Sequence, residues 1–385
     1  MTFTKQVVEL LLLVLRESTE TKELQQCIQK FGYSDWQALY KSVIKQGIFP
    51  LFYSRLISLK PRGLPSDFLH KFKDAYLLNL QRNLFCEQEL VNLTSHLARY
   101  DIAVIALKGP ILARLFYQDM ALRQAPVDLD LLIKKETLTQ TQRILEEIGY
   151  GPLQVEPKKD FLQPARLNHQ ITQICLSNKT HDLWNFTLDI HTCLRGFFRQ
   201  EQIQALWQQA GYVSVGEGEV LVLSNEDLLL YLSVISISLF ESVQLRYLYD
   251  MHRLVTACKK ELDWDKLLYK AKDYNLNTCL YFPLALSRSL FCTEIPNNVL
   301  KDIAPGRVPK KLINLWIDKE QLLLHPDGIQ FNLVARLILC RYLYSRDWGD
   351  FLNKVFHRLL KERKIETSRS VFGSKLNLPS PNFNL

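Results

Sequence analysis

Metal-binding cysteine spacing is missing from this sequence: its eight cysteines, at positions 27, 86, 175, 193, 258, 279, 292 and 340, form no CxxC pair. Scattered singly through apolar segments, they exclude a zinc-ligand framework and predict buried thiols in a reducing cytosol. An apolar run of the ~20 residues that a membrane helix needs is missing as well. Leu228 to Phe240 is interrupted by serines and closed by Glu241, and Leu10 to Leu15 lies between Glu9 and the pair Arg16, Glu17 with no small-residue cleavage site after it. Both absences exclude a helical span and a signal peptide, and predict a soluble, cytoplasmic chain. No long Lys/Arg block accompanies the formal net charge of +8, which therefore reads as a solvated basic surface with a mild preference for anionic partners such as nucleotides, nucleic acid or a membrane surface. No internal repeat is present.

What is there suits a globular protein. Of the 385 residues, 47% are apolar and 23% charged, so a large core can form, and the length predicts two or three domains at ~150 residues each. Residues 1–98 read as a helical N-terminal domain, with apolar positions three and four apart in Val7 to Leu15, Trp36 to Ile48 and Leu69 to Leu97, and breaks at Pro50, Pro61, Gly63 and Pro65. Residues 99–222 read as an α/β core. Ile102 to Leu107 and Val127 to Ile133 suit buried strands, Ile111 to Tyr117 and Thr137 to Ile148 suit helices, and Gln170 to Leu176 and Asn185 to Thr192 alternate as strands around a turn at Asn178 to Asp182. That order implies a mixed α/β (α+β) sheet. From Ser224-x-x-Asp227, a capping-box-like start, residues 223–365 read as a helical C-terminal domain, and 366–385, rich in Pro, Asn and Ser, as a disordered tail.

One constellation carries chemistry. On a strand, residues two apart share a face, so Asp128 and Asp130 project together while Val127, Leu129 and Leu131 face the opposite layer. Paired carboxylates repel unless a cation lies between them, which is how oxygen-ligated Mg²⁺ sites are built. Asp189 and His191 form a second same-face pair, and Asp189 could complete a three-carboxylate site. Two-metal phosphoryl and nucleotidyl transfer need such a cluster. Gly109 would let backbone approach a ligand closely, the helix after it offers free N–H groups, and Lys108 and Arg123 are cations for a triphosphate. Taken singly each has a plainer reading: Asp-x-Asp as a solvated strand edge, Gly-Pro as a turn, Arg123 as partner of Asp119, His191 as a satisfied core histidine, Asp250 as an i,i+4 partner of Arg246.

Together, Leu107-Lys108-Gly109, Leu112, Tyr117, Arg123, Asp128-x-Asp130-x-Leu132 and Leu145-x-x-x-Gly149-Tyr150 resemble the uncharacterised nucleotidyltransferase family of the DNA polymerase β-like superfamily. Leu188-Asp189-Ile190-His191, Arg246-Tyr247-Leu248-Tyr249-Asp250 and Leu262-Asp263-Trp264 extend the resemblance over roughly residues 35–300. It implies a polymerase β-like mixed sheet flanked by helical regions. It also implies Mg²⁺- or Mn²⁺-dependent transfer of a nucleoside monophosphate from an NTP to a hydroxyl of a protein, metabolite or nucleic acid. Asp128, Asp130 and Asp189 would be metal ligands, Asp189 would activate the acceptor, and Lys108, Gly109, Arg123 and His191 would line the nucleotide pocket. Two further readings stand beside it: a non-catalytic accessory protein that keeps the fold and holds a nucleotide or partner, and a nucleic-acid-modifying protein, for which a basic stripe is wanting.

Overall fold

A computed structural model describes residues 5–16, 20–152, 165–167, 170–178, 187–194, 198–236 and 244–314. Expectations about the Asn178 to Asp182 turn beyond its first residue, the end of the Leu228 to Phe240 run, Cys340, the helices past residue 314 and the C-terminal tail lie outside these residues.

The N-terminal periodicity becomes five helices: α1 (Lys5–Leu15), α2 (Thr21–Ile28), α3 (Tyr33–Lys45), α4 (Phe49–Leu59) and α5 (Ser66–Ala98). The break expected at Pro50 falls just ahead of it, between α3 and α4, and Pro50 itself sits in the first turn of α4, where a missing N–H costs nothing. The 33-residue α5 turns Phe68, Phe72, Cys86, Leu90, Leu93 and Leu97 inward and packs across the first and last strands described below.

After α5 come β1 (Val104–Ala106), α6 (Pro110–Phe116), β2 (Asp128–Ile133), a 3₁₀ turn at Lys135–Thr137, α7 (Leu138–Glu147), β3 (Tyr150–Pro152), β4 (Ala165–Leu167), β5 (Gln170–Asn178) and β6 (Thr187–His191). Then follow α8 (Gln200–Gln209) and the hairpin β7 (Gly211–Val215) and β8 (Gly218–Val222). The strands make one mixed eight-stranded sheet in the order β3-β5-β6-β2-β1-β8-β7, with β4 on β5. β2 is central, antiparallel to β1 and parallel to β6. Its inner face and that of β6 supply Leu129, Leu131, Leu188 and Ile190, all at most 1% exposed. Each such side chain contributes about 1.5–3 kcal/mol by leaving water, which fixes the register and so the positions of the acids between them.

The C-terminal part continues with α9 (Asn225–Ser236), α10 (Leu245–Ala257), α11 (Trp264–Asp273), α12 (Asn277–Phe291), α13 (Asn297–Asp302) and α14 (Arg307–Asn314). The capping signal at Ser224 holds: Ser224 Oγ accepts from the Asp227 amide at 3.3 Å and donates to Asp227 Oδ2 at 2.8 Å. Helices α9, α10 and α12 pack together, α10 also touches α6, and α1 reaches α12. Among the described residues no helix is long and apolar enough to cross a membrane. The cysteines only partly follow expectation. Cys27, Cys86 and Cys279 are buried, but Cys175, Cys193 and Cys258 are half-buried, and Cys292 is exposed at the end of α12.

Candidate active site

The parallel pairing of β2 with β6 sets Asp128 opposite Thr187 and Asp130 opposite Asp189. Neighbouring strands run about 4.8 Å apart, so two acids in register on one face are forced close together. His191, two residues past Asp189, reaches the same carboxylate: its Nε2 lies 3.2 Å from Asp130 Oδ1, and both residues are buried. Ligand atoms of Asp130, Asp189 and His191 all lie within 4.8 Å of one another. On the next strand, Cys175 Sγ donates to Asp189 Oδ1 at 2.8 Å.

Asp128 stands nearer solvent, with its side chain 27% exposed, and joins the group through Lys108. The Lys108 ammonium is 2.7 Å from Asp130 Oδ2 and 3.5 Å from Asp128 Oδ1, between the two carboxylates. This meets part of the electrostatic demand of the Asp-x-Asp pair from within the chain, one positive charge against two carboxylates. Burial pushes the Lys108 amine towards neutrality, but Asp130 and Asp128 outweigh it and hold it well above the usual lysine range, with Tyr247 and Tyr231 adding to the shift. Burial likewise opposes the ionised form of Asp130, yet Lys108 and the hydrogen bond from His191 lower its pKa to about 2. Asp128 moves the other way: burial first, then the charges of Asp130 and Asp189, raise it, while Lys108 and Arg246 pull it down. Burial and then Asp189 keep the Cys175 thiol protonated far above the usual range.

Gly109 takes a backbone conformation that favours glycine. It adopts φ 80° and ψ −130°, a region that L side chains rarely enter, and a Cβ there would meet Pro126 Cγ at 3.4 Å. The helix that follows offers less than expected, because α6 has seven residues and its first, Pro110, has no N–H.

Arg123 is a correction. Its guanidinium is 3% exposed and grips Asp250 with both arms, Nε to Oδ1 at 2.8 Å and Nη2 to Oδ2 at 2.9 Å, while Tyr117 Oη donates to the same Asp250 Oδ1 at 2.8 Å. Arg123 thus ties the segment before β2 to α10 and has no free face for a triphosphate. Asp119, its expected partner, instead caps the Ala121 amide and accepts from Tyr76. Asp250 in turn is not the partner of Arg246.

Sequence reasoning missed the clamp that delivers Asp128. Asn79 and Asn83, buried on α5, donate to the carbonyls of Met120, Ala121 and Arg123 at 2.8–2.9 Å, Asn79 Oδ1 accepts from the Ala125 amide at 2.7 Å, and Arg82 Nε donates to Pro126 O at 3.1 Å. A buried Asn one turn from another in a long amphipathic helix was the available signal, since polar groups there need partners.

These residues fit a hard divalent cation: carboxylate oxygens suit Mg²⁺ or Mn²⁺, an imidazole among the donors suits Mn²⁺ better than Mg²⁺, and the three donors already converge. A comparison with curated proteins gives no match. A family profile described as an uncharacterised nucleotidyltransferase matches residues 33–292, a span that takes in α3 to α12 and every side chain of this cluster. With well over half of its length inside that match, the chain belongs to the uncharacterised nucleotidyltransferase family.

Proposed function

We propose that this protein transfers a nucleoside monophosphate from an NTP to a hydroxyl of an acceptor, using a divalent cation held by Asp128, Asp130 and Asp189. The observation that carries the reading is the in-register pair Asp130 and Asp189, buttressed by His191, in a chain of this family. When bound, the cation supplies positive charge to the reacting phosphate and lowers the pKa of the attacking hydroxyl. His191 orients Asp130 through the 3.2 Å contact, which keeps that carboxylate turned to the ligand position. Asp189 accepts the proton of the acceptor hydroxyl, while Cys175 holds its other face in place. Lys108 leaves the acid pair and turns its ammonium to the phosphates, so the charge that stabilises the ligand-free site is reused. Gly109 keeps the backbone beside Lys108 open to the nucleotide.

The test is isothermal titration with Mg²⁺ and each NTP, with the double variant Asp128→Asn, Asp130→Asn as control. Saturable binding to the wild type that is lost in the double variant is expected; equal binding by both would sink the metal-site reading.

A second reading, a non-catalytic nucleotide-binding accessory protein, draws on Lys108. Because the lysine bridges Asp128 and Asp130 and offsets one of their two charges, the chain keeps the acid pair with less need of a metal. Nucleotide binding without pyrophosphate release from any NTP, in the presence of a broad acceptor extract, would favour it.

A further inference from the structure

With Arg123 bound to Asp250, the triphosphate lacks the arginine expected for it. Another one lies on α10, the helix that Asp250 ties to the segment before Asp128. Arg246 lies in the first turn of α10, and its Nη2 donates to Gln244 Oε1 at 3.2 Å and to Tyr247 Oη at 3.0 Å. Its Nε is buried without a hydrogen-bond partner. Among the described residues no carboxylate pairs with it, because Asp250, one turn further along, is held by both arms of Arg123. A half-buried guanidinium whose inner Nε lacks a partner, stacked over the Tyr247 ring and without an anion, gains when an anion arrives.

Its surroundings hold it in place. Gly47, at φ 70°, leaves room for the arginine stem: a Cβ there would lie 2.9 Å from Arg246 Cδ. Gln46 accepts from the Arg246 amide through its backbone carbonyl at 3.1 Å and from the Leu245 amide through Oε1 at 3.0 Å. The Arg123–Asp250 clamp fixes α10 against the segment that leads into Asp128, and the charge of Arg246 reaches Asp128 from that helix. We propose that Arg246 is the triphosphate-binding arginine of this site, taking the β- and γ-phosphates of the NTP between the N-terminal helices and α10. This assignment rests on the nucleotidyltransferase reading.

The test compares wild type, Arg246→Gln and Arg246→Lys by calorimetry with three probes: Mg·ATP, inorganic tripolyphosphate with Mg²⁺, and Mn²⁺ alone. Gln keeps the stem over Gly47 and removes the charge, whereas Lys keeps the charge and loses the fork. For Gln, ATP and tripolyphosphate affinity are expected to fall about 10–100-fold, in line with losing charge-assisted hydrogen bonds, with Lys lying between. Mn²⁺ affinity should hold within about threefold in both variants, the shift expected of a charge near the acids but not among the ligands. Equal ATP affinity in all three proteins overturns the assignment while leaving the metal site standing. A parallel loss of Mn²⁺ affinity also overturns it, by making Arg246 part of the architecture. If the wild type binds no NTP, both this assignment and the reading beneath it fall.

Discussion

Replacing Lys108 by Met removes the charge that lies between Asp128 and Asp130 while keeping a similar stem. At an effective dielectric of ~20, the 2.7 Å and 3.5 Å separations correspond to gross attractions of about 6 and about 5 kcal/mol. Much of that is offset by the cost of drying the ammonium and the two acids, and the Asp128 side of the pair is partly open to water. Breaking a buried pair costs about 3–5 kcal/mol, and the open side places this one near the lower figure. For a chain of 385 residues about 3 kcal/mol lowers the melting temperature by about 4 °C. A divalent cation should then reverse the defect, because at a concentration of about 100 times its dissociation constant it returns about 2.7 kcal/mol. It should also bind the variant at least about tenfold more tightly, since it no longer displaces a resident cation. Differential scanning fluorimetry of both proteins across a Mn²⁺ series measures both effects. If metal-free Lys108→Met melts with the wild type, or if Mn²⁺ raises the two melting temperatures equally, Lys108 is not the counter-ion of the pair.

Three other outcomes follow from the same geometry. Arg123→Ala should lose about 3–5 kcal/mol in urea unfolding because it strands a buried Asp250 carboxylate, while the double variant Arg123→Met, Asp250→Leu should lose far less than the sum of the single changes. His191→Ala should weaken Mn²⁺ binding about 10–100-fold in calorimetry, the usual effect of losing a group that orients a ligating carboxylate. In a carboxyl ¹³C titration by NMR, Asp128 should protonate above the ordinary 3.8 and Asp130 only near about 2. Asp130 therefore stabilises the fold above pH 3.8 and loses that contribution as pH falls towards about 2; Asp128, raised, opposes folding once pH climbs through its folded value.

Much of the acid cluster was legible because strands enforce period two. Alternation in Asp128 to Ile133 and Thr187 to His191 put three acids and a histidine on one side before any pairing was known, and the apolar residues between them fixed the register. The partner of Arg123 was not legible. Asp250 is 127 residues away, and no local rule relates them, whereas Asp119 and Arg246 were near in sequence and so looked plausible. The direction of Lys108 was hidden for a related reason: a flexible stem reaches acids or phosphate equally well, and only the packed site selects the acids. The β7–β8 hairpin escaped notice because its strands are five residues each, β7 is largely exposed, and β8 joins β1 in parallel across more than a hundred residues. Asn79 and Asn83 were passed over as polar positions of a long helix, although their burial is what positions the loop before Asp128.

The central claim, that Asp128, Asp130 and Asp189 support nucleotidyl transfer, is tested most directly by following the phosphate. The protein is incubated with each NTP labelled either at the α- or at the γ-phosphate, together with Mg²⁺ or Mn²⁺ and a lysate of its source cell. Label from the α-phosphate should enter an acceptor with release of pyrophosphate, and Asp130→Asn should abolish it. Transfer of the γ-label, or no transfer from any NTP under conditions where the nucleotide binds, would contradict the account.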